Sequence, residues 1–288
     1  MRDLNHDFKH LCQRNKDGSF ATRHDREVIL SLVANQLFEG GFRHLRAQGI
    51  RSKHIEHLVG RWHAEQIAPG TFKNRMSALR WLAEKIDKQN IVARDNSHYG
   101  IADRKYVTNV SRGQDIDAGN LARVTDPYTA LSLRLQAAFG LRREESIKLR
   151  AAWADRGDVL RLQASWTKGG KERDIPIATA SQRELVDEVK RFAGNGSLIP
   201  SEMSYRDQLN RFKAQTALAG IHRVHGLRHQ YAQDRYETLT GWKAPAAGGP
   251  TSRQLDASQK LTDRQARMTI SRELGHEREQ VTAVYLGR

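Results

Sequence analysis

The sequence predicts a mainly α-helical protein of two domains, with one small β-hairpin in the second. Apolar residues recur at spacings of three and four along most of the chain, the period of an amphipathic helix. A single stretch, residues 160–177, alternates with period two around a pair of glycines, the pattern of a hairpin. The 288 residues suit two hydrophobic cores at roughly 150 residues per domain.

Residues 1–21 are polar and mixed, and are expected as a flexible basic arm. Thr22 then offers an N-cap with Asp25 at N3. Val28, Ile29, Leu32, Val33 and Leu37 follow at helical spacing, and Gly40 and Gly41 end the run. Ser52 caps a second helix with Ile55, Leu58, Val59 and Trp62 on one face. Pro69 and Gly70 read as a turn, and Thr71 caps a third helix whose apolar face is Phe72, Met76, Leu79, Ala83 and Ile86. Residues 22–90 are therefore a helical bundle. Residues 91–119 have weak periodicity and several Asp, Asn, Gly and Ser, and read as a linker.

The second domain spans residues 120–288. A helix from about Asp126 carries Tyr128, Leu131, Leu135, Ala138 and Phe139 until Gly140 breaks it, and a short helix resumes to Leu149. Leu160, Leu162, Ala164 and Trp166 form the first hairpin strand, and Ile175 and Ile177 the second, with Gly169 and Gly170 at the turn. The remainder is helical: Leu185 to Phe192, Leu209 to Leu218, from His225 onward, and Ala266 to Leu274. Residues 239–259 are a turn-rich insert between two of these helices.

Charge narrows the function. Lys and Arg number 48 against 33 Asp and Glu, a net +15. The excess is +6 over residues 1–100 and +9 over residues 101–288, so it is neither a tail nor one stripe. Such a balance points to a polyanionic partner, DNA or RNA first and an anionic membrane surface second, although a merely basic soluble protein has the same composition. Both halves are expected to face the same polyanion. In the bundle, Arg51, Lys53, Lys73, Arg75 and Arg80 are the candidate phosphate contacts, with a solvated helix face as the alternative. No run approaches the ~18 apolar residues of a membrane span, and the start lacks a signal-length apolar stretch. The single cysteine, Cys12, excludes an internal disulfide framework and suits a reducing compartment. His6, His10 and Cys12 have only a passing metal-ligand spacing. No metal and no cofactor are expected.

Four segments carry chemistry: Gly140-Leu-Arg142-Arg-Glu-Glu145, Thr167-Lys168-Gly-Gly-Lys171-Glu-Arg173, His225-Gly-Leu-Arg228-His229, and Gly275-His276 with Tyr285 nine residues on. Forked guanidinium donors at Arg142 and Arg228 suit the non-bridging oxygens of a phosphodiester. Their grip strengthens as charge builds in a pentacoordinate transition state. A tyrosine hydroxyl can attack phosphorus and form a covalent ester, given a nearby base or a strong positive field. A lysine on a hairpin can protonate the departing oxygen. Clustered carboxylates for metal-assisted transfer and a GxxxxGK[ST] nucleotide loop are both missing from the sequence.

In this order and spacing, the four segments resemble the tyrosine recombinases of the phage-integrase family. The resemblance covers about residues 118–288, and more weakly the bundle through Thr71-Phe-Lys-Asn-Arg-Met-Ser-Ala-Leu-Arg-Trp81. It implies a helical core-binding domain joined to a tyrosine-recombinase-like catalytic domain. It implies that Arg142, Lys168, His225, Arg228 and His276 act on the scissile phosphate and that Tyr285 is the nucleophile. Glu145 would buttress the site, and His229 would lock its helix. Lys171 and Arg173 are candidate contacts to the DNA backbone, with Arg173 merely sitting on the hairpin strand as its alternative. The implied reaction is 3′-phosphotyrosine formation, strand exchange and religation without metal or ATP, for integration or excision of a mobile element. The implied partners are double-stranded DNA, a homo-tetramer assembled on it from monomers or weak oligomers, and accessory DNA-bending or directionality proteins, in the cytoplasm at the nucleoid.

Arg143 stands beside Arg142 as an alternative gripper, and Lys171 beside Lys168 as an alternative acid. Tyr231 and Tyr236 are expected in the core or on the surface. Only three residues follow Tyr285, so a mobile tyrosine is expected. Two other activities remain open: type IB topoisomerase-like relaxation of DNA, and non-catalytic DNA binding on the same fold.

Overall fold

The computed structural model describes residues 3–276 and 278–288. The chain divides into two compact units, Met1–Lys105 and Tyr106–Arg288.

The first unit is helical. Helices α1 (Asp3–Arg14), α2 (Phe20–Glu39), α3 (Ser52–Ala64) and α4 (Pro69–Lys85) surround one core. All five residues of the anticipated α4 face are buried there, together with Trp62, whose indole N–H donates to Gln36 Oε1 at 2.8 Å. The expected arm is instead helix α1, which buries Leu4 and Phe8, while Asp7 holds Arg46 at 2.7 Å. Leu4 and Phe8, four apart on one face, dock it with Leu11 and Cys12 packed beside them. Ser19 rather than Thr22 caps α2, its hydroxyl accepting from Thr22 N–H. Helix α4 begins at Pro69, not Thr71: proline at a first helical position lacks only a donor that has no partner there. The expected linker is divided, since Val92 and Ile101 are buried in the first core.

The second unit opens with the short α5 (Ala118–Ala122) and α6 (Pro127–Phe139), which is capped by Asp126 accepting from Thr129 N–H. Then follow α7 (Arg143–Lys148), α8 (Ala151–Ala154), β1 (Val159–Leu162), β2 (Arg173–Pro176), α9 (Ala180–Ala193), α10 (Tyr205–Leu218), α11 (Gly226–Thr240), α12 (Ala257–Glu273) and α13 (Glu279–Leu286). Strands β1 and β2 pair antiparallel, with Leu162 opposite Arg173. The first strand stops at Leu162, because Ala164–Trp166 turn into a 3-10 helix that packs Trp166 edge-on against Trp153. The hairpin tip is therefore a long loop rather than a two-residue turn.

Helix α11 packs against α6, α12 and α13 at the centre of this unit. The insert is not a free loop. Its Pro245–Ala247 turn packs on α13, and Ala244, Ala246 and Leu255 are buried. Leu218, expected on an apolar face, is 80% exposed at the end of α10. Among the described residues, no helix is long and apolar enough to cross a membrane.

Candidate active site

The site is assembled around the first turns of α11. His225, Arg228 and His229 fall on one face of that helix, at spacings of three and four. Gly140, with φ +60, ends α6 and delivers Arg142 to the N-cap of α7. Arg142 N–H donates to Glu145 Oε2 at 2.8 Å, and its guanidinium donates to Oε1 at 2.7 Å. Arg143 lies instead over the Phe212 ring, so the two neighbouring arginines part at this turn.

Glu145 is fully buried and collects three arginines. Arg173 donates to both its oxygens, at 3.1 and 2.7 Å, and Arg228 lies 3.9 Å away. Burial pushes this carboxyl up, but the Arg173 hydrogen bonds and the charges of Arg173, Arg142 and Arg228 outweigh it and lower its pKa to about 2. Three guanidinium groups against one carboxylate leave a surplus of positive charge.

Arg228 is 1% exposed. Its guanidinium donates to the carbonyls of Gly140 and Leu274, while its Nε–H has no hydrogen-bond partner among the described residues. Its Nη2 also lies 3.3 Å from His276 Nε2. That contact fixes the tautomer of His276: Nε2 accepts, and Nδ1–H donates to the Thr282 hydroxyl at 3.1 Å. Burial, then the charges of Arg228, Arg142 and Arg173, lower the His276 pKa to about 3.

Tyr285 lies among these groups and is 7% exposed. Its hydroxyl is 3.2 Å from His225 Nε2. Desolvation, then Arg228 and Arg142, lower the His225 pKa, which favours the neutral imidazole that can accept from the hydroxyl. The tyrosine ring stacks on His276 at 5.2 Å and lies 4.3 Å from His229. Burial and nearby cations lower His229 to about 4. Contacts hold the chain around Tyr285. Gln233 donates to its carbonyl, Arg267 donates to Gly287 O, and Asn109 bonds both backbone groups of Arg288.

A cavity of about 840 Å³ opens beside this cluster, lined among others by Arg142, Lys168, Lys171, Arg173 and His276. Both hairpin lysines therefore reach it. Thr167 closes the tip, its Oγ1 accepting from Lys171 N–H and donating to Lys171 O. The structure thus brings together Arg142, Glu145, His225, Arg228, His229, His276 and Tyr285, with Lys168 at the cavity rim.

Arg173, expected at the DNA backbone, is bound by Glu145 and the Glu273 carbonyl, with 6% of its side chain exposed on the wall of the same cavity. Other candidates fall elsewhere. In the first unit Arg51 and Lys53 are exposed. Arg80 donates to Ala93 O and Asn96, Lys73 pairs with the exposed Asp103, and Arg75 lies over the Trp62 ring, so these three also make contacts within the unit. His6 and His10 face each other at 3.0 Å, but no group of three His, Cys, Asp or Glu able to hold a metal occurs among the described residues. Tyr231 and Tyr236 are core residues bonded to Glu273 and Asp263.

Sequence reasoning missed Thr282, Gln233 and the place of Arg173. Gln233 continues the α11 face at 225, 229 and 233, a spacing that could have found it. Nothing in the sequence marks Thr282.

A family profile described as "Phage integrase, N-terminal" matches residues 1–92, and one described as "Integrase" matches residues 91–234. No curated protein sequence matches the chain. Among solved structures, the chain is similar to a lambda integrase tetramer bound to a Holliday junction, with TM-score 0.60 and 15% identity over 98% of this chain and 75% of that one. It is also similar to the Tn1549 transposon integrase in complex with circular-intermediate DNA, with TM-score 0.56 and 11% identity over 100% of this chain and 96% of that one. At these identities the likeness is one of fold.

Proposed function

The chain belongs to the phage-integrase family, the tyrosine recombinases, and on that premise we propose that it cleaves and rejoins duplex DNA through a phosphotyrosine at Tyr285. The observation that carries this reading is the Tyr285 hydroxyl, 3.2 Å from a base nitrogen and beside a cluster of three arginines and one carboxylate.

Tyr285 Oη attacks the phosphorus and gives its proton to His225 Nε2. The bond from phosphorus to the 5′ oxygen breaks, and Lys168 supplies the proton that this oxygen takes up. The DNA is left as a 3′-phosphotyrosyl ester and a free 5′ hydroxyl, and religation by an incoming 5′ hydroxyl reverses the step. Arg142 and Arg228 neutralise the charge that builds on the non-bridging oxygens. Arg228 and Tyr285 are both buried, so α13 must shift before a backbone phosphate reaches them. The setting would be integration or excision of a mobile element, with four copies on a DNA junction, as in the lambda integrase tetramer.

The test is a nicked duplex carrying the attachment sequence that flanks the reading frame, run in EDTA and resolved on a denaturing gel. A covalent protein–DNA adduct is expected for the wild type and none for Tyr285→Phe. Tight DNA binding with no adduct on any attachment sequence would leave a non-catalytic binding protein instead. Relaxation of plasmids lacking the attachment sequence would mark a topoisomerase.

A further inference from the structure

We propose that Arg173 is a positioning residue of the cleavage step, a buried strut that ties the Lys168 hairpin to the helix of Arg142 and to the turn of His276. The inference rests on the phosphotyrosine reading above.

The need for such a strut follows from the hairpin itself. Each strand is four residues long, and a two-stranded ribbon of that size is marginal in water. Its tip, residues 163–172, carries Lys168 on a loop with two consecutive glycines at positive φ, Gly169 and Gly170. Trp166 anchors the start of the tip against Trp153, and Thr167 closes residues 167–171 upon themselves, but Lys168 sits past that anchor, beside the two glycines. Left alone, the loop would sweep the lysine through many positions.

Arg173 is the first residue after that tip and the last rung of the ladder. Every nitrogen of its guanidinium is bound. Nη1 and Nη2 donate to Glu145, on α7, and Nε donates to the carbonyl of Glu273, at the end of α12, at 2.9 Å. Gly275 allows the close approach, since a Cβ there would meet Arg173 Cδ at 3.0 Å. Three elements bearing separate parts of the chemistry therefore meet at one guanidinium: the hairpin of Lys168, the helix capped by Arg142, and the turn that presents His276. A lysine could supply the charge but not the fork that grips a carboxylate and a carbonyl together. With all three guanidinium nitrogens already bound and 6% of its side chain exposed, Arg173 is committed to holding these elements together.

The test separates positioning of the acid from mere folding. Arg173→Met and Arg173→Lys are compared with the wild type in single-turnover cleavage of the nicked attachment duplex. Each is run on a normal phosphodiester and on a duplex with sulfur replacing the bridging 5′ oxygen. A thiolate leaves without a proton from lysine, so misplacing the acid does not slow the sulfur substrate. On the normal substrate both variants are expected to lose about 100-fold in cleavage rate, the scale of an ångström-sized misplacement. On the sulfur substrate the loss should shrink to under about tenfold, with DNA binding unchanged. Arg173→Lys keeps a buried cation beside Glu145, and so serves where Arg173→Met fails to fold. Equal losses on both substrates would overturn the inference, as would wild-type cleavage by Arg173→Lys. If the wild type forms no adduct with either substrate, the phosphotyrosine reading itself falls. If it does and the Arg173 variants match it, only the strut falls.

Discussion

Glu145, His229 and His276 are enclosed ionisable groups of the second unit, and each holds a displaced pKa. Glu145 lies at about 2, below the ordinary 4.5. Its contribution to stability is complete above the unfolded value and is lost as pH falls toward 2, a swing of about 3 kcal/mol. His276 and His229 lie at about 3 and about 4, below the ordinary 6.5. They are neutral in the folded chain, and the unfolded chain binds their protons first, so stability begins to fall below pH 6.5. Screened by solvent, the two histidines together cost about 2 kcal/mol at pH 5, or ~4–8 °C in melting temperature. The melting temperature of the second unit is thus expected to be flat from pH 8 to 7, to decline from 6.5, and to drop further below 4.5. His229→Gln should flatten the first decline, and a curve flat from pH 8 to 4 would refute the assignment. The motif spacing points to these histidines. It does not show which arginine faces Glu145, because Arg142 and Arg143 differ only in the turn that α7 makes after Gly140.

Helix α13 is held near its C-terminal end. Gln233 grips the Tyr285 carbonyl, and the helix ends on Gly287, whose φ is +76. A Cβ at Gly287 would meet Asn109 Oδ1 at 2.6 Å and the Ala246 nitrogen at 2.8 Å. Gly287→Ala is therefore expected to lift α13 from the insert and speed amide exchange over residues 279–286 by about tenfold, the equivalent of ~1.4 kcal/mol of local opening. Unchanged exchange there would show that the neighbours yield. The same helix makes more contacts than its short tail suggested. Only three residues follow Tyr285, but the insert, Asn109 and Arg267 supply the contacts, and they lie far from it in sequence. The alternation that suggested a strand through Trp166 fails for a similar reason. Trp166 satisfies an apolar pattern of period two, yet it reaches the core through a 3-10 turn against Trp153.

The two units have separate cores, and each holds its own buried anchors. Trp62 is fully buried in the first, with its indole bonded to Gln36. Trp62→Ala should destabilise residues 1–105 by about 3–5 kcal/mol, the usual cost of emptying so large a site. Calorimetry is expected to show two transitions, of which only the one belonging to the first unit moves. A single transition that shifts as a whole would show that the units unfold together. The net charge of +15 is a property of both units, but it is not a map of contacts. Of the five cations singled out in the bundle, Lys73, Arg75 and Arg80 also make contacts within the unit while Arg51 and Lys53 are exposed, a difference only the structure shows.

Local order is what the sequence determined by itself: helix periods, the hairpin, the helix ends at Gly40 and Gly140, and the four chemical segments with their spacing, although the N-caps foreseen at Thr22, Ser52 and Thr71 fall instead on Ser19, Arg51 and Ala68. These follow from side-chain shape and backbone preference within a few residues, and neighbours in sequence are enough to express them. Only the tertiary structure decided that α1 docks, that Arg173 turns inward, that Thr282 orients His276, and that Tyr285 rests against His225. Each depends on a buried partner 6 to 100 residues away. Such a pairing is set by which groups can be satisfied once water is excluded, and a one-dimensional pattern does not carry that information.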